Sequence, residues 1–120
     1  MKAEELMIGN RVIVNKEISY GIYSIQFDYD EGAWYVDGIH ITLIEPIPLT
    51  VEWLLKFGFV SDGYGEYEKG DILLDNEYTD EGVFNIMYEH YPLGIDVLYV
   101  HQLQNLYFAL TSEELTIKTK

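Results

Sequence analysis

The segment from Glu45 to Phe59 limits what this chain can fold into more than any other. Each proline of Glu45-Pro46-Ile47-Pro48 fixes its own φ and drives the residue before it away from helical space, so the chain must run extended there. A helix can start only after it. Thr50 is an N-cap residue, Glu52 places a negative charge in the first turn, and Leu49 and Leu54 occupy the staple positions on either side of the cap. At the far end Gly58 suits the left-handed position that closes a helix, with Phe59 folding back on Leu54. These signals predict a two-turn helix within 50–58 whose Trp53, Leu54 and Phe57 face a core. Gly58→Ala is expected to cost about 1 kcal/mol or more, because a side chain resists that conformation.

On both sides of this helix the residues read as strand. Before it, Arg11 to Val14, Ile18 to Phe27, Trp34 to Val36 and Ile39 to Ile44 are rich in β-branched and aromatic residues, and Ile39, Ile41 and Leu43 recur with period two. Gly9-Asn10, Asn15-Lys16, Asp28 to Gly32 and Asp37-Gly38 supply turns between them. After it, Phe59-Val60 and Tyr64 to Tyr67 flank Asp62-Gly63 as a hairpin, and further strands are expected at Asp71 to Leu74, Val83 to Tyr88 and Ile95 to Tyr99, with Tyr91-Pro92-Leu93-Gly94 as the last turn. Leu103, Leu106, Tyr107 and Leu110 then recur at helical spacing, leaving Gln102, Gln104 and Asn105 to face outward. Thr111-Ser112-Glu113-Glu114 has the form of a capping box.

The expected fold is therefore α+β and antiparallel, in a single domain over 1–120. An N-terminal β part (9–49), in the form of an SH3-like barrel or a meander, precedes the short helix (50–58), a second small antiparallel sheet (59–99) and a C-terminal helix (100–110). A chain of 120 residues with 48% hydrophobic content is long enough to bury one core.

The charge is the next constraint. Seven Lys and Arg stand against 21 Asp and Glu, a net charge of −14. No basic residue occurs between Lys16 and Lys56, and from Asp62 to Asp96 ten acids face Lys69 alone. Such a field repels phosphate backbones, so no direct contact with nucleic acid is expected. It suits solubility, or a surface that meets a basic protein, including one that normally holds DNA.

The chemistry available is sparse. With no Cys there is no disulfide framework, thiolate metal site or cysteine nucleophile. His40, His90 and His101 are far apart and form no His-x-x-x-His or His-Glu-x-x-His pattern. His40 alternates with Ile39 and Ile41 and should face the other side of its strand, whereas His101 opens the second helix as a cap or pairing residue. Asp28-x-Asp30-Glu31-Gly32 lacks the third oxygen ligand and the twelfth-position Glu of a calcium loop, so it reads as a solvated turn. No glycine-rich phosphate loop or nucleophile elbow occurs. The expectation is no catalytic residue, no metal and no cofactor.

Acidic Met1-Lys2-Ala3-Glu4-Glu5-Leu6 does not resemble a secretory signal, and no window is apolar enough for a membrane span, so the expected location is cytoplasmic with no membrane partner.

Three blocks carry a resemblance: Met1 to Asn10, Ile44 to Phe59, which contains Ile44-Glu45-Pro46-Ile47-Pro48-Leu49-Thr50 and Glu52-Trp53-Leu54-Leu55-Lys56-Phe57-Gly58-Phe59, and Tyr99-Val100-His101-Gln102-Leu103-Gln104-Asn105-Leu106-Tyr107-Phe108-Ala109-Leu110-Thr111. In order and spacing they resemble the recurring blocks of a family of small uncharacterised proteins abundant in Bacteroidetes genomes, phages and prophages. The resemblance spans a third to a half of the chain. It implies a phage or mobile-element setting and brings no activity and no catalytic residue.

Three functional classes follow. The favoured one is a non-enzymatic accessory protein that binds a host protein, one with a basic surface, to the benefit of the mobile element, for instance against host defence. The others are a domain that sequesters a small molecule or nucleotide, and an enzyme with an unfamiliar carboxylate or histidine site. The partner surface is placed in the acidic, Tyr-rich segment, at Glu66, Glu68, Asp75, Glu77, Tyr64, Tyr67 and Tyr78, which joins long-range attraction to aromatic contact. Exposed Tyr-rich strand edges also lead to the expectation of a homodimer.

Overall fold

A computed structural model of the chain describes residues 2–14, 17–18, 21–76 and 82–117. It divides into two compact units, Met1–Ile47 with Tyr99–Asn105, and Pro48–Leu98 with Leu106–Lys120. The class is α+β with antiparallel sheets throughout.

In the first unit, β1 (Val12–Val14) pairs antiparallel with both β2 (Glu17–Ile18) and β6 (Ile44–Pro46). A separate meander contains β3 (Ile25–Asp28), β4 (Ala33–Val36) and β5 (Ile39–His40). Of the two forms expected, the barrel is not closed. The reason lies at His40, whose Nδ1 accepts from the Thr42 amide and caps a 3-10 turn over Ile41–Leu43. That turn cuts the expected Ile39–Ile44 strand into two short strands belonging to different sheets. Period two alone does not protect a strand from a local hydrogen bond that offers the backbone another path. The core of this unit is Leu6, Val12, Ile22, Val36 and Ile44, with Val14, Ile25, Ile39 and Ile41 packed against it.

Helix α2 (Val100–Thr111) gives its first half to this unit, and there the outward placement of its polar residues is corrected. Gln104 is buried: its Oε1 accepts from the Arg11 amide at 2.8 Å and its Nε2 donates to the Gly9 carbonyl at 3.0 Å. Asn105 accepts from Asn10 Nδ2 at 2.8 Å and donates to the Glu5 carbonyl at 2.8 Å. The amides act as substitutes for a missing strand neighbour, satisfying backbone groups that burial would otherwise leave unpaired.

His101 is buried too, and neither caps nor pairs. Its ring stacks on Tyr99 at 5.9 Å, and neither nitrogen has a hydrogen-bond partner. Burial pushes its pKa below the ordinary value, with Glu5 acting weakly the other way. The folded state therefore holds the neutral ring, and the unfolded state binds the proton first as the pH drops. Stability is whole above the unfolded value near ~6.5 and is lost as the pH falls below it toward the folded one. We expect urea unfolding to show a loss between pH 7.5 and 5 in the native protein that His101→Leu reduces. At pH 7.5 the variant should be nearly neutral, since an unpartnered nitrogen is exchanged for carbon. An equal loss in both proteins would show that His101 does not carry the effect.

In the second unit, helix α1 (Val51–Lys56) has the expected ends. Thr50 Oγ1 accepts from the Trp53 amide, and beyond the helix Phe59 N–H bonds Leu54 O at 3.0 Å and Gly58 N–H bonds Leu55 O at 3.1 Å, the two closures of a Schellman motif. Gly58 has φ +90°, so the cost of Gly58→Ala, read as a lower denaturant midpoint, rests on an observed left-handed backbone. Trp53, Leu54 and Phe57 are buried as expected.

The sheet of this unit has the order β11-β10-β9-β8-β7, from β7 (Val60–Ser61), β8 (Glu66–Lys69), β9 (Ile72–Asp75), β10 (Phe84–Tyr88) and β11 (Tyr91–Val97). The expected turn at Tyr91 to Gly94 is corrected: these residues belong to β11, and the turn is Glu89-His90, both with positive φ (50° and 70°). A two-residue hairpin loop prefers this mirror-image geometry because it matches strand twist, even without the usual Asn-Gly. Pro92 is tolerated since β11 is an edge strand. Beyond α2, the Thr111 capping-box motif leaves room for only a short turn, and no helix follows it among the described residues. The Thr111 hydroxyl instead donates to Tyr107 O at 2.7 Å and accepts from the Glu113 amide, closing α2.

No helix among the described residues is long and apolar enough to cross a membrane.

Candidate functional site: the acidic face of the five-stranded sheet

Strand alternation sorts the residues of this sheet onto two faces. On one, Ile72, Leu74, Phe84, Ile86 and Val97 are buried. Registers place two cross-strand rows on the other. One is Val60–Glu68–Leu73–Met87–Pro92, and the other is Glu66–Asp75–Asn85–Asp96. Val60 (70% exposed), Glu68, Asn85, Pro92 and Asp96 are open to solvent, and the residues between them are half-buried.

A row that is apolar but for Glu68 thus lies beside a row that is carboxylate but for Asn85, one strand spacing of ~4.8 Å separating successive members of each. Two hollows mark the face, sharing Glu68 and Leu73. The larger, 460 Å³ and open, is bounded by Gly58, Val60, Asp62, Glu66, Glu68, Lys69 and Leu73. The smaller, 90 Å³, lies among Glu68, Asp71, Met87, Glu89 and His90.

Lys69, the one Lys of these strands, also lines the larger hollow; its Nζ donates to the Phe57 carbonyl at 2.6 Å and lies 5.9 Å from the centre of the Tyr107 ring. Lys56 lies over Trp53 at 5.0 Å. At the rim, Asp62 Oδ1 accepts the Tyr64 amide at 2.7 Å and the Glu66 amide at 3.1 Å; the first of these chiefly holds its carboxyl below the usual value, so it stays charged.

Of the residues proposed from sequence, Glu66, Glu68 and Asp75 are brought onto one face. Tyr64 stands 81% exposed in the β7–β8 loop beside them. Tyr67 is corrected: it alternates to the core side and packs edge-on against Phe84, ring centres 6.4 Å apart. Its spacing from Glu66 and Glu68 already carried that signal, since neighbours in a strand face opposite ways. Glu77 and Tyr78 lie outside the described residues. Asp96, Val60, Leu73, Met87 and Pro92 were missed, because only pairing across all five strands assembles the two rows.

The smaller hollow gathers His90 with Glu68, Asp71 and Glu89, a composition that an acid–base site would need. All four side chains are exposed, and among the described residues no hydrogen bond orients His90 on a carboxylate. Exposed, unoriented groups do not hold a nucleophile or general base in fixed geometry. No set of three or more His, Asp or Glu side chains among the described residues is arranged to hold a metal. Asp28 serves the β3–β4 turn, its Oδ1 accepting the amides of Asp30 and Glu31.

Comparison with protein-family models, with curated proteins and with solved structures returns no match.

Proposed function

We propose that this chain is a non-enzymatic binding protein that meets a basic protein surface through the open face of its five-stranded sheet. One observation carries the reading: the same face holds a largely apolar row beside a row of carboxylates, and the single Lys of its strands has its ammonium bound to the Phe57 carbonyl. Lys and Arg side chains fit such a surface, their stems lying on Leu73, Met87 and Val60 and their charged heads reaching Glu66, Glu68 and Asp96. Apolar contact supplies affinity, and the charge supplies rate and selection of partner.

The resemblance to phage and prophage proteins supplies the setting: a host protein as partner, in the cytoplasm, with interference in host defence as the benefit. Nucleotide sequestration is less well supported, since phosphate entering the larger hollow would meet Asp62, Glu66 and Glu68, with the Lys69 ammonium already bound to Phe57 O.

The test is affinity capture from a Bacteroidetes lysate with the native protein and with Glu68→Lys/Asp96→Lys. Recovery of one basic protein by the first and not by the second supports the reading. Recovery of the same protein by both, or of nothing basic, overturns it.

A further inference from the structure

The β3–β4 hairpin carries more aromatic surface than its sheet buries. On one face the pairs Ile25–Val36 and Val36–Ile39 join the core, and the next pair outward on that face is Phe27–Trp34. Their ring centres are 5.2 Å apart, the planes at 61°, and Tyr29 from the turn stands 5.0 Å from Phe27 at 82°. Neither ring stacks flat on Phe27; both contacts are edge-on. Tyr29 is 89% exposed and Trp34 36%.

Cross-strand packing accounts for Phe27 and Trp34, which are paired. It does not account for Tyr29. The turn is closed without it: Asp28 accepts the amides of Asp30 and Glu31, the Gly32 amide bonds Asp28 O at 2.8 Å, and Tyr35 OH donates to Glu31. An unneeded large ring in water, set against Phe27 of a paired Phe–Trp cluster, is the composition of a binding hot spot.

The surrounding charge selects the ligand. Asp28, Asp30 and Glu31 belong to the same hairpin tip, Asp28 and Glu31 on its Tyr35 side, and no Lys or Arg occurs from 17 to 55. Aromatic faces attract cations, and guanidinium, planar and weakly hydrated, stacks on a ring better than an ammonium does. Nucleobases would bring phosphate against three acids.

We propose that the Phe27–Tyr29–Trp34 hairpin tip binds an arginine side chain of a partner protein. The site uses other residues than the sheet face, so its failure would leave the proposed function standing, and the reverse holds as well.

The test is an NMR titration of the intact protein with acetyl-Gly-Arg-Gly-amide, its Lys counterpart and the neutral sugar cellotetraose, read at the two indole N–H signals. Trp53, buried in the other unit, is the internal reference. The expected result is a saturable shift of Trp34 alone by the Arg peptide, about threefold or more tighter than by the Lys peptide. Tyr29→Ala, an exposed change, should weaken the Arg peptide about fivefold. Absence of a Trp34 shift, equal binding of the two peptides, an unaltered affinity in Tyr29→Ala, or a response to the sugar in place of the Arg peptide would each overturn the proposal.

Discussion

Phe57→Ala should lower the free energy of unfolding by about 3–5 kcal/mol, the range for a large aromatic removed from a packed site. Phe57 is wholly buried at the C-cap of α1, its ring 5.6 Å from that of Trp53, and its carbonyl receives the Lys69 ammonium. Truncation removes transfer free energy and leaves a cavity that can collapse only by shifting the helix end, which the Schellman closure and the Lys69 bond hold in place. Urea unfolding followed by Trp fluorescence measures the effect. Leu55→Ala, on the solvent side of the same helix, is the control and should stay within about 0.5 kcal/mol. A loss below about 1 kcal/mol for Phe57→Ala would mean that this ring is not packed as described.

The second large effect concerns binding. Glu68→Lys/Asp96→Lys changes the charge of the face by four units while leaving both side chains in solvent, so the fold should survive unaltered. With the basic partner recovered from lysate, the association rate at low salt should fall about tenfold or more, and its dependence on salt should flatten, as steering by charge requires. Screening acts over about 8 Å at physiological ionic strength, so the native protein should itself slow as salt is raised. Glu113→Lys/Glu114→Lys makes the same change in net charge beyond the end of α2. If both pairs slow association equally, net charge is responsible and the face is not. If neither does, the acidity has no part in binding.

What could be read from the chain and what could not divides along the range of the interactions. Thr50, Gly58, Phe59 and the prolines act on neighbours within a few residues, so α1, its caps and its buried face follow from local stereochemistry and are found as expected. The acidic character of the candidate surface is likewise visible, because charge counts need no geometry.

The misread features depend on partners far along the chain. Gln104 looked outward by helical periodicity, yet Gly9 O and Arg11 N, more than ninety positions away, need hydrogen bonds that its amide supplies. His40 ends a strand that alternation would continue, because a side-chain cap competes with a sheet ladder whose partner is set elsewhere. Tyr67 falls out of the site and Asp96 enters it for one reason, the register of a sheet in which Glu66, Asp75, Asn85 and Asp96 come into line. Sequence by itself determined the helix, its boundaries, the antiparallel α+β class and the sign of the surface. Tertiary structure decided which side chains share a face, since a register slip of one residue exchanges the two faces and only the burial of Ile72, Leu74 and Ile86 on the opposite side selects between them.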